Sequence, residues 1–515
     1  MTRHAMGTML VGQILSNAAI RFPERTSFIC SSTQRRYTFS QTNQRCNRLA
    51  NGLADRGLRK GDCVAFLSSN RAEMVETYFA LAKNGMVGLP LNYRLAPIEL
   101  IELMRAVGSV ALIAERRFCD ALAPLLLDLP QVEHCISFGE GTALGNDYEA
   151  LLARSSSREP TIEIDEGDPF YFNLTSGTTG LPKCYVINHY NCTAGNSLFT
   201  SFDLTSRDVV LTVFPMFGRI GFGWAIASTQ LGLCNVLANF ETRTALRLIE
   251  EESVTVVNLV PTMAAMLLAC PSLADRSLSS LRTLVFAGSS LPRSILQNVQ
   301  ANLCPDVYEY YGMQETGALT LSTPQDRRHK PGSVGRQVLF SQVRIVDAQG
   351  REVPAGKPGE IYGRSPNAVT AYYNSPEKTA ETFQGGWVHT GDIGYLDNEG
   401  HLFVSGRLKE VIVTGGQNVH SAEIEALILT FPGVADCAVI GLPDPLWGEA
   451  VTAVLVSQGE CVDGQALIAF CHAHLAGFKT PKSVLQQNEP LPRTPTGKVQ
   501  KFRLIERYSQ STPTS

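Results

Sequence analysis

Nine consecutive residues, Thr175-Ser176-Gly177-Thr178-Thr179-Gly180-Leu181-Pro182-Lys183, bring together four hydroxyl side chains, two glycines and a cation. Glycine lets a backbone turn with its N–H groups pointing inward, which makes a concave anion site. The hydroxyls add donors and Lys183 adds charge, a combination suited to a polyphosphate. The run is not a Walker loop, because Gly-Lys-Ser/Thr is missing and Pro182 precedes the lysine. An ordinary polar turn is the competing reading, and only the order of the residues argues against it.

Four further sets could serve the same chemistry. Tyr310-Tyr311-Gly312-Met313-Gln314-Glu315 follows a strand-like run and sets a carboxylate beside a tyrosine and a glycine. A hard oxygen ligand near a triphosphate is what Mg²⁺ requires. Asp392, in Thr390-Gly391-Asp392, could accept two sugar hydroxyls at once. Gly406-Arg407 and the late run Arg493-Thr494-Pro495-Thr496-Gly497-Lys498 add cations. Taken singly, each has a plainer reading as a solvated loop residue, a turn or a cap.

Taken in order, they resemble the adenylate-forming superfamily, which groups acyl-CoA synthetases, peptide-synthetase adenylation domains and luciferases. The loop at 175–183 resembles its signature, with Cys184 where a glycine is usual, and the likeness runs from about residue 10 to about 507. The resemblance implies that Thr175, Ser176, Gly177, Thr178, Thr179, Gly180 and Lys183 hold phosphates. It further implies that Gly288, Ser289 and Ser290 form an adenine-side loop and that Tyr311 packs on adenine beside Gly312. By the same likeness Glu315 binds Mg²⁺, while Asp392 and Arg407 hold the ribose. Gln314 replaces the motif's threonine, so its amide would have to supply that contact. Lys409 falls at the family's hinge, Gly415-Gly416 at its thiol tunnel (a plain turn being the other reading), and Lys498 at its mobile catalytic lysine. The cofactor and co-substrates implied are Mg²⁺, ATP and coenzyme A.

The family's acyl pocket maps onto Phe214 to Trp224, Val260, Phe286 and Met313 to Leu319. Phe217, Phe222, Trp224, Met263 and Phe286 would make it apolar, favouring a fatty, alicyclic or aromatic acid. Gly218 stands where the family usually has a gating histidine. Arg219 follows, either pairing with a second acidic group of the substrate or, as the favoured alternative, pointing to solvent. Coenzyme A is preferred over a carrier protein as acceptor, since no carrier domain follows Lys498 and no pocket carboxylate awaits an ammonium group. A stand-alone acyl-AMP ligase is the runner-up. An inactive nucleotide-binding regulator would lean on Cys184, Gln314 and Gly218 but is opposed by Lys183, Glu315, Asp392, Arg407 and Lys498. His472 and His474 read as a polar helix face, because zinc spacing is missing.

The elements that must position these residues are those of an α/β chain. Cys63 to Leu67, Val87 to Leu91 and Ala111 to Ala114 read as buried strands separated by helices over Arg71 to Gly85 and Ile98 to Val107. Such alternation implies parallel sheets with covered faces. Residues 333–405 read as a β-rich subdomain. From Lys409 a strand–helix–strand–strand–helix unit follows, so the expected division is a large N-terminal domain, 1–408, of parallel-rich sheets and a small mobile α+β C-terminal domain, 409–515. With 515 residues, 44% hydrophobic and 18% charged, the chain is too long for one simple core. A net charge of -4 offers no basic surplus for nucleic acid. No run of about 18 apolar residues suggests a membrane span. Thirteen cysteines without a CxxC pair fit reduced thiols and a cytoplasmic protein. A homodimer is left open.

Overall fold

The computed structural model describes residues 8–175, 183–414, 417–459, 461–493 and 497–509. Among them the strands form four sheets. The largest has nine strands, with Thr26–Cys30, Cys234–Leu237, Val209–Thr212, Val256–Leu259, Thr283–Phe286 and Val307–Met313 running parallel side by side. Antiparallel strands close both of its edges. A seven-stranded sheet carries Cys63–Leu67, Val87–Pro90 and Ser109–Glu115 in parallel, as the alternating pattern requires, and ends in the antiparallel pair Pro169–Thr175 and Lys183–Asn188.

The two large sheets share helix Ala72–Asn84, in which every residue is buried. A helix covered on all sides must pair its charges. Glu76 meets Arg45 at 2.6 Å and the Tyr148 hydroxyl at 2.8 Å, while Lys83 meets Glu159 at 2.6 Å. Gly85, at φ 65°, ends the helix in the left-handed cap that glycine adopts without strain. Around this helix Tyr78, Phe66, Phe170, Tyr171 and Phe222 make an aromatic core, with Tyr78 and Phe222 stacked at 3.5 Å. Each such buried ring stabilises by about 1.5–3 kcal/mol.

A five-stranded antiparallel sheet spans Gln342–Val346 to Leu402–Arg407. After the short turn Leu408–Glu410, a second five-stranded sheet with helices Ser421–Ile428, Gly464–His474 and Lys501–Ser509 encloses its own core of Ile412, Ile424, Val439, Ala453 and Leu467. Strands Gln417–His420 and Ser483–Gln487 and the last helix go beyond the sequence reading of this unit. Among the described residues, no helix is long and apolar enough to cross a membrane.

Candidate active site

Ligands of open α/β sheets gather beyond the carboxyl ends of parallel strands. Gly288 and the 310–315 run lie at such ends, whereas Asp392 and Arg407 come from an antiparallel sheet and Lys498 from the unit beyond residue 410. Strand Pro169–Thr175 pairs with Lys183–Asn188 in a register that sets Thr175 opposite Lys183, so residues 176–182 join two fixed strand ends. Ser176, Gly177, Thr178, Thr179 and Gly180 lie outside the described residues, as do the side chains of Thr175 and Lys183.

Strand Thr283–Phe286 delivers Gly288, whose φ of 88° suits glycine alone, with Ser289 and Ser290 following. The neighbouring strand Val307–Met313 holds that loop in place. Glu309 accepts a hydrogen bond from the Leu291 N–H at 3.1 Å and pairs with Arg327. Burial raises the Glu309 pKa, and the arginine opposes it. Sequence reading missed Glu309, because a lone glutamate in a strand carries no signal of its partner.

Farther along, a methyl at Gly312 would lie 1.9 Å from the Gly317 carbonyl oxygen, so only glycine allows the hairpin to close. Gln314 turns toward the paired strands that carry the loop. Its carbonyl oxygen accepts from Asn173 Nδ2 and from the Tyr185 hydroxyl, both at 3.0 Å. Thus the residue replacing threonine ties the 310–315 motif to the base of the 176–182 connection. Glu315 is buried and accepts a 2.6 Å hydrogen bond from the Tyr372 hydroxyl. Asn173, Tyr185 and Tyr372 were also missed; their partners lie far away in sequence.

Asp392 and Arg407 face each other across paired strands, 3.1 Å apart, and Asp392 accepts the Tyr311 hydroxyl at 2.7 Å. Burial followed by the adjacent Asp392 charge pushes the Tyr311 phenol well above its ordinary pKa, so it stays a donor. The last member arrives from the other side of the Leu408–Glu410 turn. Arg493 bridges to Val499 and donates to the Gly497 carbonyl at 2.6 Å. A methyl at Gly497 would lie 3.3 Å from Thr262 Oγ1, beside the strand end that precedes helix Pro261–Leu268. Lys498 therefore enters the field of Arg407, Asp392, Glu315 and Glu410. It is solvent-accessible, yet desolvation by the packed protein around it, then the like charge of Arg407, lowers its pKa against the opposing carboxylates.

The AMP-binding enzyme family matches residues 15–373, and the AMP-binding enzyme C-terminal domain matches 423–498. The chain belongs to this family. It is 34% identical to a long-chain-fatty-acid–CoA ligase of Mycobacterium tuberculosis over 98% of this chain and 99% of that protein. It is 35% identical to a feruloyl-CoA synthase of Amycolatopsis sp., covering 92% and 94%. Among solved structures, ATP-bound MatB from Rhodopseudomonas palustris matches with a TM-score of 0.89 and 28% identity, over 97% and 99% of the two chains. The adenylate-forming superfamily expected from the ordered motifs, and its α/β architecture, are therefore the chain's own.

Within this AMP-binding enzyme several residues expected on the acyl side pack into the protein's own cores. Phe222 is buried and stacked on Tyr78 in the aromatic core, and Trp224 stacks on Phe202 in another. Phe286 is fully buried among the helices covering the large sheet. Phe217 is partly buried with its ring edge-on to Tyr93, and Met313 is partly buried at its strand end. Gly218 caps helix Arg219–Leu231 without a side chain, and a methyl there meets nothing closer than the Pro215 carbonyl oxygen at 3.4 Å. Buried Asn70 shapes this turn, donating to the Phe214 carbonyl at 2.7 Å and accepting the Met216 N–H at 2.8 Å. Arg219 does not point to solvent. It is partly buried and donates to the backbone carbonyls of Gln314 and Asn367. Lys409, expected at a hinge, lies in the Leu408–Glu410 turn, and its side chain is outside the described set. Gly415 and Gly416 also fall outside, between strands paired through Thr414 and Gln417.

Proposed function

We propose that this AMP-binding enzyme is an acyl-CoA synthetase: it adenylates a carboxylic acid with ATP, releasing pyrophosphate, and passes the acyl group to coenzyme A. One observation carries the reading: Lys498, from the unit beyond residue 410, lies within electrostatic reach of Glu315, Asp392 and Arg407. A carboxylic acid is already ionised at neutral pH, so no base is needed. The difficulty is bringing one anion to another and spreading charge on the α-phosphate, a task of positioning and electrostatics. Lys498 contacts the carboxylate and α-phosphate; the loop at 175–183 takes the leaving pyrophosphate. Tyr311, Asp392 and Arg407 hold the nucleoside. Glu315, a buried carboxylate held by Tyr372, has the donor chemistry to hold Mg²⁺, which when bound neutralises polyphosphate charge.

Residues 409–515 act as the mobile unit, turning about Lys409 so that Gly415 and Gly416 replace Lys498 at the site for the thiol step. The acceptor is coenzyme A, because the M. tuberculosis and Amycolatopsis relatives are both named as forming CoA esters. Screening a carboxylic-acid library for ATP-dependent pyrophosphate release, followed by mass spectrometry for acyl-CoA, tests the whole reading. Pyrophosphate release with no acid in the library would remove it, and carrier-protein loading without CoA ester formation would replace the acceptor.

A further inference from the structure

Lys501 opens the last helix, Lys501–Ser509, three residues after Lys498. Its side chain is only 12% exposed, and its ammonium meets Ser421 Oγ at 2.6 Å, Glu425 at 2.8 Å and Glu410 at 3.3 Å. An ammonium has three N–H donors, and here three partners meet them. Desolvation works to lower the Lys501 pKa, but the charges of Glu425 and Glu410 outweigh it and raise it, so the cation persists. Glu425 is held in turn, accepting the Val439 N–H at 2.7 Å.

A site that needed only packing would gain nothing from an ammonium and two carboxylates, because apolar residues fill the same volume without the desolvation cost. What the pairing adds is position. The loop before Lys501 is tied at its base, where Arg493 bridges Val499 and the Gln500 N–H donates to the Pro492 carbonyl at 2.7 Å. Glu410 closes the turn Leu408–Glu410, three residues after Arg407. Lys498 and Arg407 thus each lie three residues from one end of the Lys501–Glu410 pair, and three residues span at most about 11 Å. The pair joins the two cations of the site by a short path. Glu410 also contributes to the field at Lys498, so one carboxylate serves both lysines.

Resting on the acyl-CoA synthetase reading, we infer that Lys501 is a positioning residue for adenylation: through Glu410 it fixes Lys498 relative to Arg407 and so to the α-phosphate. Lys409 lies within the same short path, next to Glu410, so a turn there carries Lys498 and Lys501 together.

Competitive labelling with acetic anhydride, read by peptide mass spectrometry, measures the Lys498 pKa in the whole protein without substrate. The groups that face this lysine are Arg407, Asp392, Glu315 and Glu410. Lys501→Met leaves the Glu410 charge to Lys498 alone, so the Lys498 pKa should rise. Glu410→Gln removes an attracting carboxylate, so it should fall, and the double variant should return close to wild type. Lys501→Arg keeps the charge and should hold the wild-type value. With the acid that gives wild type its fastest pyrophosphate release, Lys501→Met should lower kcat for ATP–pyrophosphate exchange roughly tenfold or more, with KM for ATP little changed. Conversion of preformed adenylate should stay close to wild type, and Lys501→Arg should recover part of the exchange. Shifts of one sign in both single variants, or none, overturn the inference. Equal loss of both half-reactions also overturns it, since that marks Lys501 as general support for its unit. Should Lys501→Met fail to fold, Glu410→Gln and Lys501→Arg carry the same test. Failure of every acid to release pyrophosphate would instead strike the synthetase reading, and the labelling would still judge Lys501.

Discussion

Lys498 should be indispensable to one half-reaction only. Lys498→Ala is expected to lower ATP–pyrophosphate exchange by about 3 kcal/mol of barrier or more, as loss of an electrostatic donor does elsewhere. A preformed acyl-adenylate should still be converted to the CoA ester; equal loss of both steps would count against a lysine that leaves between them. The pH profile belongs to the same residue. Only the ammonium form can contact carboxylate and phosphate, so adenylation is present below the lysine's pKa and lost as pH rises through it. Desolvation by the surrounding protein, then the Arg407 charge, lowers that pKa, so the alkaline limb should fall below the ordinary lysine value of about 10.4. Lys498→Arg should push the limb upward, and an unmoved limb would assign it to another group. Glu315 offers a second check: Tyr372→Phe removes its 2.6 Å hydrogen bond and should raise KM for ATP with Mg²⁺ roughly tenfold, with kcat changed less.

The hairpin of Val307–Met313 and Gly317–Ser322 carries both Tyr311 and the buried Glu315, and it depends on Gly312. Gly312→Ala sets a methyl on the Gly317 carbonyl and should destabilise the protein by about 2–3 kcal/mol, read as a lower denaturant midpoint. An unchanged midpoint would mean the hairpin yields easily. At this scale much was legible in the sequence. The strands and helices between Cys63 and Glu115 announce themselves through β-branched runs alternating with helical periodicity, and Gly288 and the 310–315 run sit at strand ends as parallel sheets require. Ser483–Gln487 was not legible, because a short strand of mixed polarity lacks a clear period of two. Nor was the direction of Arg219. It is decided by carbonyl partners 95 and 148 residues away, and local sequence carries no trace of them. The stacking of Phe222 on Tyr78 shows the same limit, since the partner lies far off in sequence.

At the scale of the whole molecule the active arrangement joins two separately packed parts. A methyl at Gly497 would lie 3.3 Å from Thr262 Oγ1 while Arg493 pairs with Asp436 at 2.6 Å, so Gly497 sits beside the larger part and Arg493 is held within its own unit. A Thr262→Cys, Gly497→Cys pair in a Cys461→Ser background should cross-link on oxidation. The locked enzyme is expected to retain adenylation and lose acyl transfer to coenzyme A, with both restored by reductant. Transfer persisting in the oxidised form would show that one arrangement serves both steps.

The separate apolar core around Ile412, Ile424, Val439 and Leu467 also bears on how such an enzyme fails when warmed. A unit with its own packing can melt without dragging down the two large sheets. Heat inactivation should then run ahead of bulk loss of ellipticity, leaving a protein that still binds nucleotide but has mislaid the hand that completes the bond.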